Sequence, residues 1–390
     1  MREAWFIGAD THTVLGRSLA DNIAALSTPP APQQIELRFG GQTIVIPYLI
    51  LADQPLEDIE RRLYQVLYAV IGQALDEAAK SGMTAAQRRR MGLFLGTSSA
   101  DVSVSEARFL RELETSPDAT ALIGSNSISN LARHLRHHFG LGGPDYSFNT
   151  ACTASANALM SAVDMVSSGD LDHALVVGVE LCNVITATGF QGLGLFASQT
   201  MQPFDQDRNG LILGEGCSAL VISASAPKAE GQLGRFHLRG SANLCDTYSM
   251  SAANPDGSTV AAVMNQALAR AGLEASQLGA IKTHGTASLH NDESEMAGMR
   301  QVFDTLPPVC ALKPYIGHTL GACGLNELLL FCGAAQAGFL PGTPGIASPE
   351  RADLGVSLNQ SRLPLAPGHF MLNFFGFGGN NTSLILSNTE

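Results

Sequence analysis

The segment that most constrains this chain turns, within four residues, from a short extended run into a helix with almost no polar face. Asp145 to Asn149 reads as a strand, Thr153 to Ser168 as a helix ended by Gly169, and Ala174 to Val179 as a second strand. Asp164 is the helix's only charge, so the helix requires burial nearly all round. Strand, helix, strand in that order also implies parallel pairing, because the crossover returns the chain in its original direction. The segment therefore predicts an α/β protein with this helix enclosed.

The same grammar recurs. Met91 to Gly96 reads as another buried strand. The second half offers strand Leu278 to Thr283, helix Asp292 to Phe303, strand Val309 to Leu312, helix Thr319 to Ala337 and strand Phe370 to Asn373. GEGCSALVIS (Gly214 to Ser223) is similar in pattern to GFGGNNTSLILS (Gly376 to Ser387), a weak internal repeat. Two similar halves are expected, 1–225 and 226–390, joined near the polar stretch Ala224 to Gly234. The first 90 residues are less regular: strand Trp5 to Gly8, helix Leu15 to Leu26, a Pro-rich turn, and helix Glu57 to Lys80 with Arg61 and Arg62 on its first turns.

Composition narrows the function. Charged residues are 15% of the chain, against roughly 25% in an average globular protein, which agrees with extensive burial. A formal charge of -12 opposes attraction to nucleic acid or anionic lipid. The most apolar window, Leu328 to Leu340, is too short for a membrane span and is broken by Gly333 and Gln336. The N-terminus lacks the charge and apolar pattern of a secretory signal. Seven cysteines without a CxxC pair suit a reducing cytosol, six of them as small core residues.

The seventh, Cys152, sits at the strand-to-helix junction. Free N–H groups and the dipole of a helix start favour a thiolate, whereas burial opposes it. His284 ends a strand in KTHGT, and His318 precedes an apolar helix in KPYIGHT. Ligands usually meet the carboxyl ends of strands in α/β sheets, so three elements can deliver Cys152, His284 and His318 to one site. Asn373 to Asn380 has no following Gly-Lys-Ser/Thr, which argues against a phosphate-cradling loop. It reads either as a Gly turn that brings an N–H to a reacting carbonyl and lets a Phe swing, or as a hairpin with core aromatics. His134, His137 and His138 imitate a metal site at helical spacing, but a helix C-terminus ahead of Gly140 accounts for them.

NTACTASANAL, PFDQDRNGLILGEG, THGTASLHNDESE, KPYIGHTLGACGLNE and FFGFGG resemble, in order, the motif series of the decarboxylating β-ketoacyl-acyl-carrier-protein synthases of the thiolase-fold superfamily. The resemblance runs from about Met91 to the C-terminus. It implies a duplicated five-layer α/β/α/β/α thiolase fold and a dimer. It further implies that Cys152 is the acyl-accepting nucleophile, that His284 and His318 engage the malonyl thioester, and that Lys313 and Glu327 support them. Phe377 corresponds to a gating Phe whose N–H forms an oxyanion hole with that of Cys152. No metal or redox cofactor is implied. The partner is acyl carrier protein in acyl and malonyl forms, with Arg61 and Arg62 in the region resembling the carrier-contact helix. His318 in place of Asn favours elongation over chain initiation, and the lack of a Cys in FFGFGGNN separates the chain from thiolases. Cys323 reads as a helix-packing residue. The segment between Phe196 and Pro203 is shorter than the family's usual one, with Gln202 where a basic residue is common, so a different docking surface is expected. Within fatty-acid, polyene or polyketide-type biosynthesis, the short chain and divergent N-terminal motifs point toward a specialised pathway such as a polyene. The alternatives are a noncatalytic chain-length-setting partner of a second ketosynthase, against which Cys152 argues, and a thioester hydrolase using the same Cys.

Overall fold

The computed structural model describes residues 2–39, 41–52, 58–116, 128–227, 233–346 and 358–389. Ten strands carry the architecture: β1 (Trp5–His12), β2 (Gly92–Gly96), β3 (Asp145–Phe148), β4 (His173–Glu180), β5 (Gly216–Ser223), β6 (His237–Cys245), β7 (Leu278–Lys282), β8 (Val309–Cys310), β9 (His369–Phe375) and β10 (Asn380–Ser387). Their hydrogen-bonded order is β8-β7-β9-β10-β6-β1-β5-β4-β2-β3. Read outward from the β1–β6 join, each group of five strands repeats one topology. β2 pairs in parallel with β3 and β4 as β7 does with β8 and β9, and β5 and β10 run antiparallel to both their neighbours. The Trp5–His237 pair joins the two groups.

Six helices complete the layers: α1 (Ile59–Lys80), α2 (Ile128–Phe139), α3 (Ala154–Ser168), α4 (Ser258–Ala271), α5 (Leu289–Val302) and α6 (Cys323–Gln336). Alternation along the strands assigns their faces. In β2, Leu93 and Leu95 pack outward with Leu63, Val66 and Val70 of α1 and Leu131 and Leu135 of α2, while Phe94 points inward toward α3. In the second group, Ile281 and Met371 pack outward on Val263 and Met264 of α4 and Met296 of α5, while Ala280, Phe370 and Leu372 face inward. Between the two five-strand groups lie α3 and α6, and every residue of α6 from Cys323 to Ala335 is buried. These two helices approach closely because Gly324 faces α3; a Cβ there would lie 2.4 Å from the Ala156 nitrogen. The result is the expected duplicated α/β/α/β/α thiolase arrangement.

The differences from the sequence reading are mostly at ends. β1 runs on to His12, and the helix expected from Leu15 starts at Leu19, where the Ser18 hydroxyl accepts the Asp21 N–H. α5 begins at Leu289 rather than Asp292, and β8 stops at Cys310. Both interior helices are preceded by a 3₁₀ turn: Ala151–Thr153, of which the sequence assigns only Thr153 to the helix, and Leu320–Ala322, which it places wholly inside the helix from Thr319. Glu57 and residues 228–232 of the expected join lie outside the described residues. A small sheet of Gln33–Phe39, Gln42–Leu49 and Leu213–Gly214 fills the poorly legible region before α1. No helix among the described residues is long and apolar enough to cross a membrane.

Candidate active site

The chain leaves β3 at Phe148, adopts a positive φ of 53° at Ala151, makes one 3₁₀ turn and enters α3. Cys152 lies in that turn with only 5% of its surface exposed. Its sulfur is 3.1 Å from Nε2 of His318. Burial pushes the thiol up to about 11, while the charge of Lys313 and the backbone N–H groups of Phe377 and of Cys152 itself pull the other way. In the contest between helix start and burial, burial prevails, and the site rests as a thiol.

His284 follows the last residue of β7 by two positions. Its backbone N–H and that of Gly285 donate to the two oxygens of Glu295, at 2.8 and 2.9 Å. Its Nδ1 lies 3.3 Å from the Lys313 ammonium, which can only donate, so Nδ1 is the acceptor and the proton sits on Nε2. In His318, Nδ1 accepts the Leu320 N–H at 3.2 Å, which again assigns the proton to Nε2. Burial, then the charge of Lys313, holds both imidazoles well below the ordinary histidine range. The site thus presents two neutral rings, 5.5 Å apart and nearly perpendicular, each with an Nε2–H to give.

Lys313 and Glu327 join them. The Lys313 Nζ donates to Glu327 Oε1 and to the His284 carbonyl, both at 2.7 Å. Burial alone would lower this lysine, but the adjacent Glu327 carboxylate opposes that, and the balance lies above the ordinary lysine range. Sequence reasoning missed three residues of the surroundings. Lys282 donates to the second oxygen of Glu327 at 2.7 Å, and its signal was a charge closing the apolar strand Leu-Gly-Ala-Ile-Lys. Glu295 clamps the His284 turn. Glu180 accepts the N–H groups of Ser98, Ser99 and Gly321 at 2.9 to 3.0 Å, tying the turn after β2 to the start of α6.

The Gly-rich segment is both of the things it could have been. β9 and β10 form an antiparallel pair in which Phe374 and Phe375 are core residues, and the turn between them carries Phe377 against the sulfur. Phe377 is 38% exposed and stacks on Phe190 at 5.7 Å. Gly379 is obligatory, since a Cβ there would lie 1.8 Å from the Asp246 carbonyl oxygen. A cavity of about 340 Å³ reaches from Cys152, His284 and His318 past Phe377 to Met250 and Leu193 at the surface. Cys152, His284, His318 and Phe377 therefore share one cavity, with Lys313 and Glu327 behind its wall.

Two expectations are corrected. Arg62 is buried, with Nη1 2.7 Å from Glu215 Oε1, and Glu215 also accepts the N–H groups of Leu51 and Cys182. A guanidinium locked in the interior cannot meet a carrier protein; the helical period places it with Leu63 and Val66 on the packed face of α1. Arg61 is exposed on the first turn. Of the six cysteines read as core, Cys245 is exposed while Cys182, Cys217, Cys310, Cys323 and Cys332 are buried. Cys323 packs between the interior helices, its sulfur 2.9 Å from the Cys152 carbonyl. α2 ends ahead of Gly140 as expected, and His134 and His138 stack on Tyr68.

The chain matches the β-ketoacyl synthase N-terminal domain over residues 59–227 and the β-ketoacyl synthase C-terminal domain over residues 236–347. It is 28% identical over 314 residues to 3-oxoacyl-[acyl-carrier-protein] synthase 2 of Vibrio cholerae, covering 76% of this chain and 75% of that protein. Among solved structures it is similar to a chain of the ketosynthase–chain length factor complex from Xenorhabdus doucetiae, with a TM-score of 0.81, 24% identity and coverage of 99% and 98%. The ishigamide ketosynthase/chain length factor gives a TM-score of 0.85 at 23% identity over the whole of both chains. With both domains matched across most of its length and the thiolase frame built twice, the chain belongs to the β-ketoacyl synthase family.

Proposed function

We propose that the protein is an elongating β-ketoacyl-acyl-carrier-protein synthase, in fatty-acid, polyene or polyketide-type biosynthesis. One observation carries this reading: a cysteine sulfur and two Nε2–H imidazoles converge on one cavity, and Phe377 of the Gly-rich turn lines the same cavity. In the first step the Cys152 sulfur attacks an acyl thioester. The acyl–sulfur bond to the carrier breaks, and the thiol proton passes to the departing carrier thiol. In the second, malonyl carrier protein loses CO2, and the resulting enolate oxygen lies between the Nε2–H donors of His284 and His318. The enolate carbon attacks the acyl-Cys152 carbonyl, whose oxygen takes up charge beside the N–H groups of Cys152 and Phe377. Collapse expels the sulfur as thiolate, which takes up one proton from solvent water, and releases a β-ketoacyl carrier protein lengthened by two carbons. Lys313, held by Glu327, keeps the proton of His284 on Nε2.

The reading extends to the rest of the molecule. The functional halves divide at 225/226, the first bringing Cys152 and the second His284, His318 and the Phe377 turn. The chain works in the cytoplasm, where its cysteines stay reduced. It docks acyl carrier protein near Arg61 and pairs with a second copy or with a ketosynthase-like subunit.

The test uses the purified chain, alone and with any cognate subunit. Incubation with acyl carrier protein should add an acyl mass to the peptide containing Cys152, and malonyl carrier protein should then yield extended product. Cys152→Ala should abolish both. Acylation followed by hydrolysis without extension would favour a thioester hydrolase, and no acylation across several chain lengths would leave the noncatalytic partner role.

A further inference from the structure

Two fully buried ammonium groups share one carboxylate behind the cavity wall. Lys282 Nζ is 2.7 Å from Glu327 Oε2 and Lys313 Nζ is 2.7 Å from Oε1, with no exposed side-chain surface on any of the three. Lysines are almost never fully buried unless paired, and one glutamate offsets only one of them. Burial lowers the Lys282 ammonium from the ordinary lysine range and the Glu327 carboxylate pulls it back; the other groups facing it are Glu295, Lys313, the His284 and His318 rings, and the thiols of Cys310 and Cys323.

Its remaining contacts define a junction. Lys282 Nζ also donates to the Asn373 carbonyl at 2.7 Å and lies 3.5 Å from the centroid of the Phe374 ring. It is the last residue of β7, two positions before His284, and Asn373 is three positions before the Gly376–Gly379 turn. One side chain thus ties the strand that delivers His284 to the helix that carries Glu327 and to the strand that leads into Phe377.

Resting on the condensing function proposed above, we propose that Lys282 is a positioning residue: by holding Glu327 Oε2 and the Asn373 carbonyl, it leaves Lys313 on His284 Nδ1 and holds that ring as an Nε2–H donor. Without it, Glu327 is free to take Lys313 through both oxygens and draw it from the imidazole. The second positive charge also opposes protonation of either ring. A proton on Nδ1 would face the Lys313 ammonium in His284 and the Leu320 N–H in His318, so protonation dismantles both assignments.

The experiment compares Lys282→Met, similar in length but uncharged, with Lys282→Arg, which keeps the charge. Single-turnover rates of Cys152 acylation and of CO2 release from malonyl carrier protein are followed against pH, and the histidine ring signals of the free protein are titrated by NMR. For Lys282→Met, acylation should stay within about threefold of the parent while CO2 release falls about 10- to 100-fold. The acid limb and the His284 titration should move to higher pH by about half a unit or more. Lys282→Arg should keep the titration in place and recover much of the rate. Unchanged rate and titration in Lys282→Met would overturn the proposal. So would equal losses in both variants with the titration unmoved, since that is a packing effect. If Lys282→Met does not fold, Lys282→Gln takes its place with the same readouts. The titration needs no carrier, so a parent protein that fails to condense sinks the proposed function while the Lys282 question is still answered.

Discussion

The two halves build the same junction and use it differently. In the first, a positive φ at Ala151 opens a 3₁₀ turn that leads into α3; in the second, a positive φ of 46° at Leu320 opens a 3₁₀ turn that leads into α6. The residue after the strained position is Cys152 in one and Gly321 in the other. The Cys152 N–H favours the thiolate of its own side chain, whereas the Gly321 N–H is bound to Glu180 at 3.0 Å. The second half instead brings its imidazole on the turn ahead of the junction, where Lys313 to His318 lengthen the connection from β8. The strand ends compare likewise. Ser98 and Ser99 after β2 give their N–H groups to Glu180, as His284 and Gly285 after β7 give theirs to Glu295. Duplication supplies four matched positions around one point, and divergence leaves one reactive group at some and a brace at others.

The largest expected effect separates the two rings. His318 touches the sulfur and His284 is reached through Lys313. His284→Ala should therefore lower CO2 release from malonyl carrier protein about 10²- to 10³-fold while Cys152 acylation, read by intact mass, stays within tenfold. His318→Ala should lower both steps. Equal acylation losses in the two variants would erase the distinction. The next effect is on stability. At Gly321 a Cβ would lie 2.3 Å from the Ser98 nitrogen, so Gly321→Ala should cost about 1–3 kcal/mol by overpacking. Cys152→Ala, which removes one sulfur beside an open cavity, should cost less in denaturant titrations. The reverse ranking would mean that the first junction is the packing brace.

Much of the frame is readable in residue order because burial forces it. The apolar α3 and α6 could only lie between layers, and the strands on either side of each run parallel, with β2 or β7 paired between them. Cys152, His284 and His318 are legible because strand ends in α/β sheets converge, and the order of five motifs names their neighbours. Arg62 misleads because charge alone does not reveal which side of α1 a residue faces; its neighbour Leu63 and the spacing to Val66 do. Cys245 misleads in the opposite sense, since an apolar strand can end at the surface. Lys282 escapes notice because its partners Glu327 and Asn373 lie 45 and 91 positions away along the chain, and Glu295 because it serves backbone N–H groups, which leave no mark on residue type.

The smallest expected effect is a slope, and it probes the two braces against each other. Burial raises both carboxyls, but Glu180 is pulled back by hydroxyls as well as N–H groups, whereas Glu295 accepts the two N–H groups, lies near the Asp292 carboxyl and is pushed up to about 7. A carboxyl raised in the folded state binds its proton there while the unfolded chain has already released it. Between about pH 4.5 and 7 the folded state therefore holds more protons, and stability falls as pH rises through that window. Glu295→Gln removes this contribution, and the contributions of Glu180, His284 and His318 are present in both proteins and largely cancel in the comparison. The melting temperature of the parent, measured from pH 5 to 7.5, should drop more, or rise less, than that of Glu295→Gln. Parallel curves would place the Glu295 proton elsewhere and remove the asymmetry between the two strand-end clamps.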